Sequence, residues 1–170
     1  MIRLSRDRTA LLVVDIQERL IPAMPPAIAE QVVNHTRVLV QTARTLGLPI
    51  VISQQYPKGL GGTVSGIEEA VTGAAFLHRF DKTEFSAAQA APFGAIAAQL
   101  KRDQWLVVGM ETHVCVYQTA RDLAARGFAT HVVADAVSSR TKGNWRIGLE
   151  LAERAGALIT STEVCVFDLL

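Results

Sequence analysis

Residues 105–127 read WLVVGMETHVCVYQTARDLAARG. The pattern changes once within this stretch. Trp105 to Val108 is a continuous apolar run that ends at Gly109. A few polar residues follow, and from Val114 to Arg126 the apolar positions recur at helical spacing until Gly127. A short continuous run suits a strand buried on both faces, and an amphipathic stretch closed by glycine suits a helix. One thiol, Cys115, falls in the first turn of that helix, just past the strand.

The same alternation extends in both directions. Strands are predicted at Ala10–Val14, Pro49–Ser53, Ala75–Phe80, Trp105–Gly109, Thr130–Ala134 and Ala157–Thr160. Helices are predicted at Ala27–Leu46, Pro92–Lys101, Val114–Arg126 and Asn144–Ala155, with a short last one at Thr162–Leu169. Continuous apolar strands alternating with helices imply one doubly wound α/β domain over residues 1–170, with a parallel sheet covered on both faces. Gln54 to Gly66, QQYPKGLGGTVSG, reads as a loop at the C-terminal end of the second strand. Ligands of open α/β sheets bind at that edge.

Composition narrows the classes of function. The net charge is +1 and the cations are scattered, so nothing points to nucleic acid or an anionic membrane. Two cysteines in 170 residues do not make a disulfide framework, and a reducing cytoplasm is expected. The opening MIRLSRDRTALLVVDIQERL does not read as a signal peptide, and no run approaches the roughly 18–20 apolar residues of a membrane span. No cofactor motif is present. GLGG at 59–62 lacks the strand-to-helix setting of a dinucleotide fingerprint.

Three residues stand at or just beyond predicted strand ends. Asp15 closes the first strand and suits a general base; the same position also suits a helix cap. Lys82, in HRFDKTEFSA, is a cation that would favour a thiolate and steady developing negative charge; taken alone it reads as a solvated surface lysine. Cys115 would meet the partial positive charge and free N–H groups of a helix N-terminus, which also favour thiolate; otherwise it is a small buried hydrophobe. Cys165 lies in an apolar helical stripe and reads as core. In a parallel sheet the three strand ends share one edge, so acid, cation and thiol converge.

The segments LLVVDIQERL, DKTEFSA and GMETHVCVYQTA, in this order, resemble the isochorismatase-like cysteine hydrolase superfamily. The resemblance extends to HVVADAVSSR and GALITSTEVCVFDLL and covers nearly the whole chain. It implies a six-stranded Rossmann-like sheet and a catalytic triad of Asp15, Lys82 and Cys115. It also implies a cis peptide between Met110 and Glu111, and an oxyanion hole formed by the Glu111 and Cys115 N–H groups. The implied reaction is thioester-forming hydrolysis of a small planar substrate, with an amide-like C–N bond as the expected target.

Within the superfamily, nicotinamidases bind a metal through an Asp-x-His pair after the second strand. Here Gln54-Gln55-Tyr56 stands in that place, and His35, His78, His113 and His131 show no ligand spacing. No metal is expected. Siderophore-pathway isochorismatases do not need the cysteine, so the full triad resembles the cysteine hydrolases. The loop QQYPKGLGGTV and ADAVSSR look most like the isochorismatase domain-containing proteins. Gln17, Leu20, Gln54, Tyr56, Thr112 and His113 are expected to line the substrate pocket. The family's habit and a mean hydropathy of +0.24 suggest a homo-oligomer. A non-catalytic oligomeric module that keeps the fold, a redox-sensing thiol, and a metal-free isochorismatase-type hydrolase of another small substrate are the competing readings.

Overall fold

The computed structural model describes residues 3–170. Six strands, β1 (Thr9–Val14), β2 (Ile50–Gln55), β3 (Leu77–Lys82), β4 (Gln104–Met110), β5 (Ala129–Ser138) and β6 (Leu158–Thr160), form one sheet in the order β3-β2-β1-β4-β5-β6. Every pairing is parallel. The helices are α1 (Pro26–Leu46), α2 (Pro57–Leu60), α3 (Ser65–Val71), α4 (Ala91–Leu100), α5 (Tyr117–Ala125), α6 (Lys142–Arg154) and α7 (Thr162–Leu169).

Alternation along β1 shows why both faces are covered. Leu11 and Val13 point into a core shared with Leu39 of α1, Ile67 of α3 and Leu169 of α7. Ala10, Leu12 and Val14 point the opposite way, into a core shared with Phe93 of α4, Leu123 of α5 and Leu149 of α6. All six residues of β1 and all seven of β4 are buried, which accounts for the continuous apolar runs 10–14 and 105–108 within them. Cys165 sits in the first of these cores, as its sequence setting suggests.

The chain winds outward from β1 to β3, then returns to the middle and winds the other way from β4 to β6. The reversal falls between β1 and β4, and it is at such a switch point that the helices part and leave a crevice.

Three local differences from the sequence expectation have physical reasons. The stretch Gln54–Gly66, expected as loop, holds the helical turn α2 and the start of α3, and α3 forms because Ile67, Ala70 and Val71 at helical spacing bury themselves against the first core. β3 is shifted toward its C-terminus, so Lys82 is its last residue. β5 continues past Ala134 to Ser138, across a register shift opposite Val107–Gly109. Asp135 makes that stretch look like a turn in sequence, but its carboxylate is satisfied by Thr162 and His35, so the strand carries on. No helix among the described residues is long and apolar enough to cross a membrane.

Candidate active site

The site begins at the switch point. Val14, the end of β1, pairs with Gly109 of β4. Gly109 has φ +119, and a Cβ there would lie 1.9 Å from the Val14 carbonyl oxygen. Only glycine lets the two strand ends come this close. Each chain then turns sharply. Asp15 adopts φ +52, a left-handed conformation that aspartate tolerates better than most residues. The Met110–Glu111 peptide is cis.

These turns set Asp15 in a fully buried position with both carboxylate oxygens engaged. Oδ1 accepts from the Ser53 hydroxyl at 2.8 Å, and Oδ2 accepts from Lys82 Nζ at 2.7 Å. The Lys82 ammonium also donates toward Gln55 Oε1 at 2.7 Å and toward the Glu84 and Phe85 carbonyls, each at 3.1 Å. Four oxygens therefore surround its N–H bonds, so a charged group is held in the interior with its hydrogen-bonding needs met. The surface-lysine reading of the sequence fails here: the side chain is wholly inaccessible.

Cys115 completes the cluster: its thiol stands close enough to feel the charges of both Asp15 and Lys82. Its thiol behaves opposite to the sequence expectation. Burial, reinforced by the Asp15 charge, pushes it up to about 12, and the Lys82 charge only partly offsets this. A helix N-terminus lowers a thiol pKa where water can also reach the thiolate; here that solvation is missing. Burial also raises the Asp15 carboxyl above its usual range, against the opposing pull of Lys82, Ser53 and Cys115. The resting cluster is thus a neutral thiol beside a carboxylate that binds protons more readily than an ordinary aspartate.

The segment carrying Cys115 is a single π-helical turn, Thr112–Val116, leading into α5. The Glu111 carbonyl accepts from the Val114 N–H at 3.0 Å and the Val116 N–H at 3.2 Å, passing over the Cys115 N–H between them. The loop after β5 clamps this turn. Glu111 Oε2 accepts from the Arg140 backbone N–H at 3.0 Å and from Arg140 Nε at 3.1 Å. His113 Nδ1 lies 3.0 Å from the Ser139 hydroxyl. On the other side, Gly148 of α6 packs so tightly that a Cβ would lie 2.6 Å from His113 N. Thr112 is buried with its hydroxyl unpartnered.

The remaining expected pocket residues divide. Gln17 is fully buried, but its amide is taken up by backbone groups: Oε1 accepts from Gln55 N at 2.7 Å, and Nε2 donates to Gln55 O at 3.0 Å and Gly61 O at 2.8 Å. The Gln54 amide is likewise occupied by Thr63 and Asp81. Both residues tie the 57–63 loop to the sheet, and each amide oxygen and nitrogen already has a partner. Leu20 packs half-buried against the first core. Tyr56 stands 54% exposed and borders a groove of about 440 Å³ that Lys82 also borders. Ser53, Gln55, Ser139 and Arg140 contribute to the cluster without a local sequence signal. Among the described residues no three of His, Cys, Asp and Glu gather where they could hold a metal ion.

The isochorismatase domain model matches residues 9–164. Isochorismatase domain-containing protein 1 of Danio rerio is 40% identical over 167 residues, 98% of this chain and 57% of that protein. The secreted isochorismatase effector Isc1 of Phytophthora sojae is 38% identical over 98% of this chain and 79% of its own length. The structure of the MAR1 ribonuclease of Caenorhabditis elegans superposes with a TM-score of 0.91 at 36% identity, covering 99% of this chain and 84% of that one. The chain thus spans little more than half of the Danio rerio protein. With the shared domain running through nearly every element described above, this chain belongs to the isochorismatase family.

Proposed function

We propose that the chain is a cysteine hydrolase that cleaves an amide-like C–N bond in a small planar substrate. The observation that carries this reading is the buried Asp15, which is paired with Lys82 at 2.7 Å and whose charge acts directly on the Cys115 thiol. Asp15 takes the thiol proton as Cys115 Sγ attacks the substrate carbonyl carbon. Negative charge leaves the carboxylate and appears on the carbonyl oxygen. Lys82 keeps the ensemble from losing its compensating cation, and the Glu111 and Cys115 N–H groups hold the oxyanion. Asp15 then gives its proton to the leaving nitrogen as the C–N bond breaks. A water molecule, deprotonated by Asp15, attacks the thioester, and the carboxylic acid product leaves with the thiol restored.

The reading uses no metal. The Gln54 amide faces Thr63 and Asp81, and Tyr56 turns toward solvent, so the segment corresponding to the nicotinamidase ligands is committed to holding its own loop. Tyr56, Thr112 and His113 remain the proposed substrate contacts. The Caenorhabditis elegans relative is called a ribonuclease, but the net charge here is only +1 and the cations are scattered along the sequence, so nucleic acid is not carried over. Two free thiols suit a reducing, cytoplasmic setting. A homo-oligomer is supported by the exposed Val164 and Phe167 on α7.

The test is a panel of small amides incubated with the wild-type protein and with Cys115→Ala, read by product release and by intact mass. Release of amine together with an acyl adduct on Cys115, both absent in the variant, is expected. Equal turnover by the variant would overturn the mechanism.

A further inference from the structure

A cavity of about 520 Å³ opens at the same edge of the sheet but is lined by none of Asp15, Lys82 and Cys115. It lies between the start of α1, the end of β5 and the first turns of α6. Its volume falls in the range of small-molecule pockets. Ile28, Val32 and Val137 give it apolar walls, and so does Trp145, whose indole is fixed by donating to the Ala134 carbonyl at 3.1 Å.

The polar groups in the lining are unevenly satisfied. Asp135 is fully engaged: Oδ1 accepts from Thr162 N at 2.8 Å and Oγ1 at 2.9 Å, and Oδ2 faces His35 Nδ1 at 2.9 Å. Ser138 is completely buried and its hydroxyl has no partner. Lys142, the first residue of α6, forms no ion pair among the described residues. The buried unpaired Ser138 hydroxyl in the wall calls for an acceptor, and the exposed Lys142 ammonium gives the rim a positive charge, so an anionic acceptor suits both. A flat or saturated six-membered ring matches the apolar walls beside Trp145.

We propose that this cavity binds a small aromatic or alicyclic monocarboxylate, with the ring against Trp145 and the carboxylate toward Lys142 and Ser138. The site is separate from the cysteine crevice. None of Asp15, Lys82 and Cys115 lines it; Ser139, which does, is tied to His113 of the cysteine turn at 3.0 Å. The inference therefore does not depend on the hydrolase reading.

The experiment is calorimetric titration of the full chain with benzoate and cyclohexanecarboxylate, with benzamide as the neutral control. The same titrations are run on Lys142→Glu, on Ser138→Ala and on wild type alkylated at Cys115. Lys142→Glu places an acid in the first turn of a helix, which favours the fold, so a loss there reports the site. Both carboxylates should bind about tenfold or more tighter than benzamide. Lys142→Glu should abolish that preference, Ser138→Ala should weaken it, and alkylation of Cys115 should leave it intact. Equal affinity for benzamide, indifference to Lys142→Glu, or loss on alkylation of Cys115 overturns the proposal. So does failure of both carboxylates to bind, whether a second copy covers the cavity or nothing does.

Discussion

Lys82 Nζ lies 2.7 Å from Asp15 Oδ2, and neither side chain is accessible to water. A buried pair of this kind contributes little relative to a well-packed apolar substitute, but half of one is costly. Lys82→Met is therefore expected to destabilise the fold by about 3–5 kcal/mol, because it strands Asp15. The double variant Asp15→Asn, Lys82→Met should recover much of that loss. Urea unfolding of wild type, Asp15→Asn, Lys82→Met and the double variant checks it: a double-variant cost equal to the sum of the singles would mean that the pair is not coupled.

The direction of the thiol shift gives a prediction that separates reactivity from catalysis. Asp15 is the second-largest cause raising the Cys115 thiol, after burial. In Asp15→Asn that charge is gone, so the pH midpoint of Cys115 alkylation should move down. Turnover should nonetheless fall by a factor of roughly 10² or more, since the proposed general base is lost. Lys82 acts with the opposite sign, so Lys82→Met should move the midpoint up. Iodoacetamide kinetics across pH, with Cys165→Ala as background, read both shifts. An upward move in Asp15→Asn would show that Asp15 does not face the thiol.

Both buried thiols also bear on alkaline stability. Burial holds Cys115 and Cys165 up at about 12 in the folded chain. In the unfolded chain they return to about 8.5. Between those values the unfolded chain gives up protons that the folded chain keeps, so stability is full below the lower value and is lost as pH rises toward the upper one. The slope is about 1.4 kcal/mol per pH unit for each thiol. Replacing Cys165 with alanine should roughly halve the thiol-dependent fall measured by urea unfolding between pH 9 and 11. An unchanged slope would place the alkaline loss elsewhere.

Asp15, Lys82 and Cys115 are legible in the sequence because a parallel sheet brings strand ends to one edge, and strand ends can be read from apolar runs. Their protonation is not legible in the same way. The helix-terminus argument for a thiolate holds for a solvated thiol, and nothing in VCVYQ says that this one is shut away beside a carboxylate. Gln17 and Gln54 illustrate a second limit. Their place near the site is readable, but whether an amide faces a ligand or its own backbone depends on Gly61 and Thr63, set by the course of the loop. Ser53 and Arg140 act entirely through partners distant in sequence, on Asp15 and Glu111. α3 is lost because seven residues give too short a period to stand out beside the four glycines and one proline of 54–66.

Gln55 is the least expected member of the cluster. Its Nε2 donates to the Thr83 carbonyl at 3.0 Å, which obliges its Oε1 to face Lys82 at 2.7 Å. It thereby positions the ammonium on Asp15. Gln55→Glu would set a second carboxylate beside Lys82, weakening its hold on Asp15. The midpoint of Cys115 alkylation should then rise, and Gln55→Met should lower turnover without moving KM by more than a small factor. A pH profile identical to wild type in Gln55→Glu would reduce Gln55 to a structural tie.

Gly148 offers the sharpest test of the clamp on the cysteine turn. Alanine is ordinarily favoured over glycine inside a helix by up to about 1 kcal/mol. Here the added methyl would lie 2.6 Å from His113 N, Thr112 C and Thr112 O, all backbone atoms that cannot rotate away. Overpacking of this kind costs about 1–3 kcal/mol, so the steric term wins and Gly148→Ala should destabilise. What gives way is either α6 or the Thr112–Val116 turn. The turn is held at only a few points, by Glu111–Arg140 and His113–Ser139. Its displacement would move the Cys115 N–H and the thiol together, so turnover should fall by about tenfold or more even where the protein is fully folded. Urea unfolding and turnover on the same preparation decide it. A Gly148→Ala protein as stable and as active as wild type would mean that the turn and α6 do not pack as described.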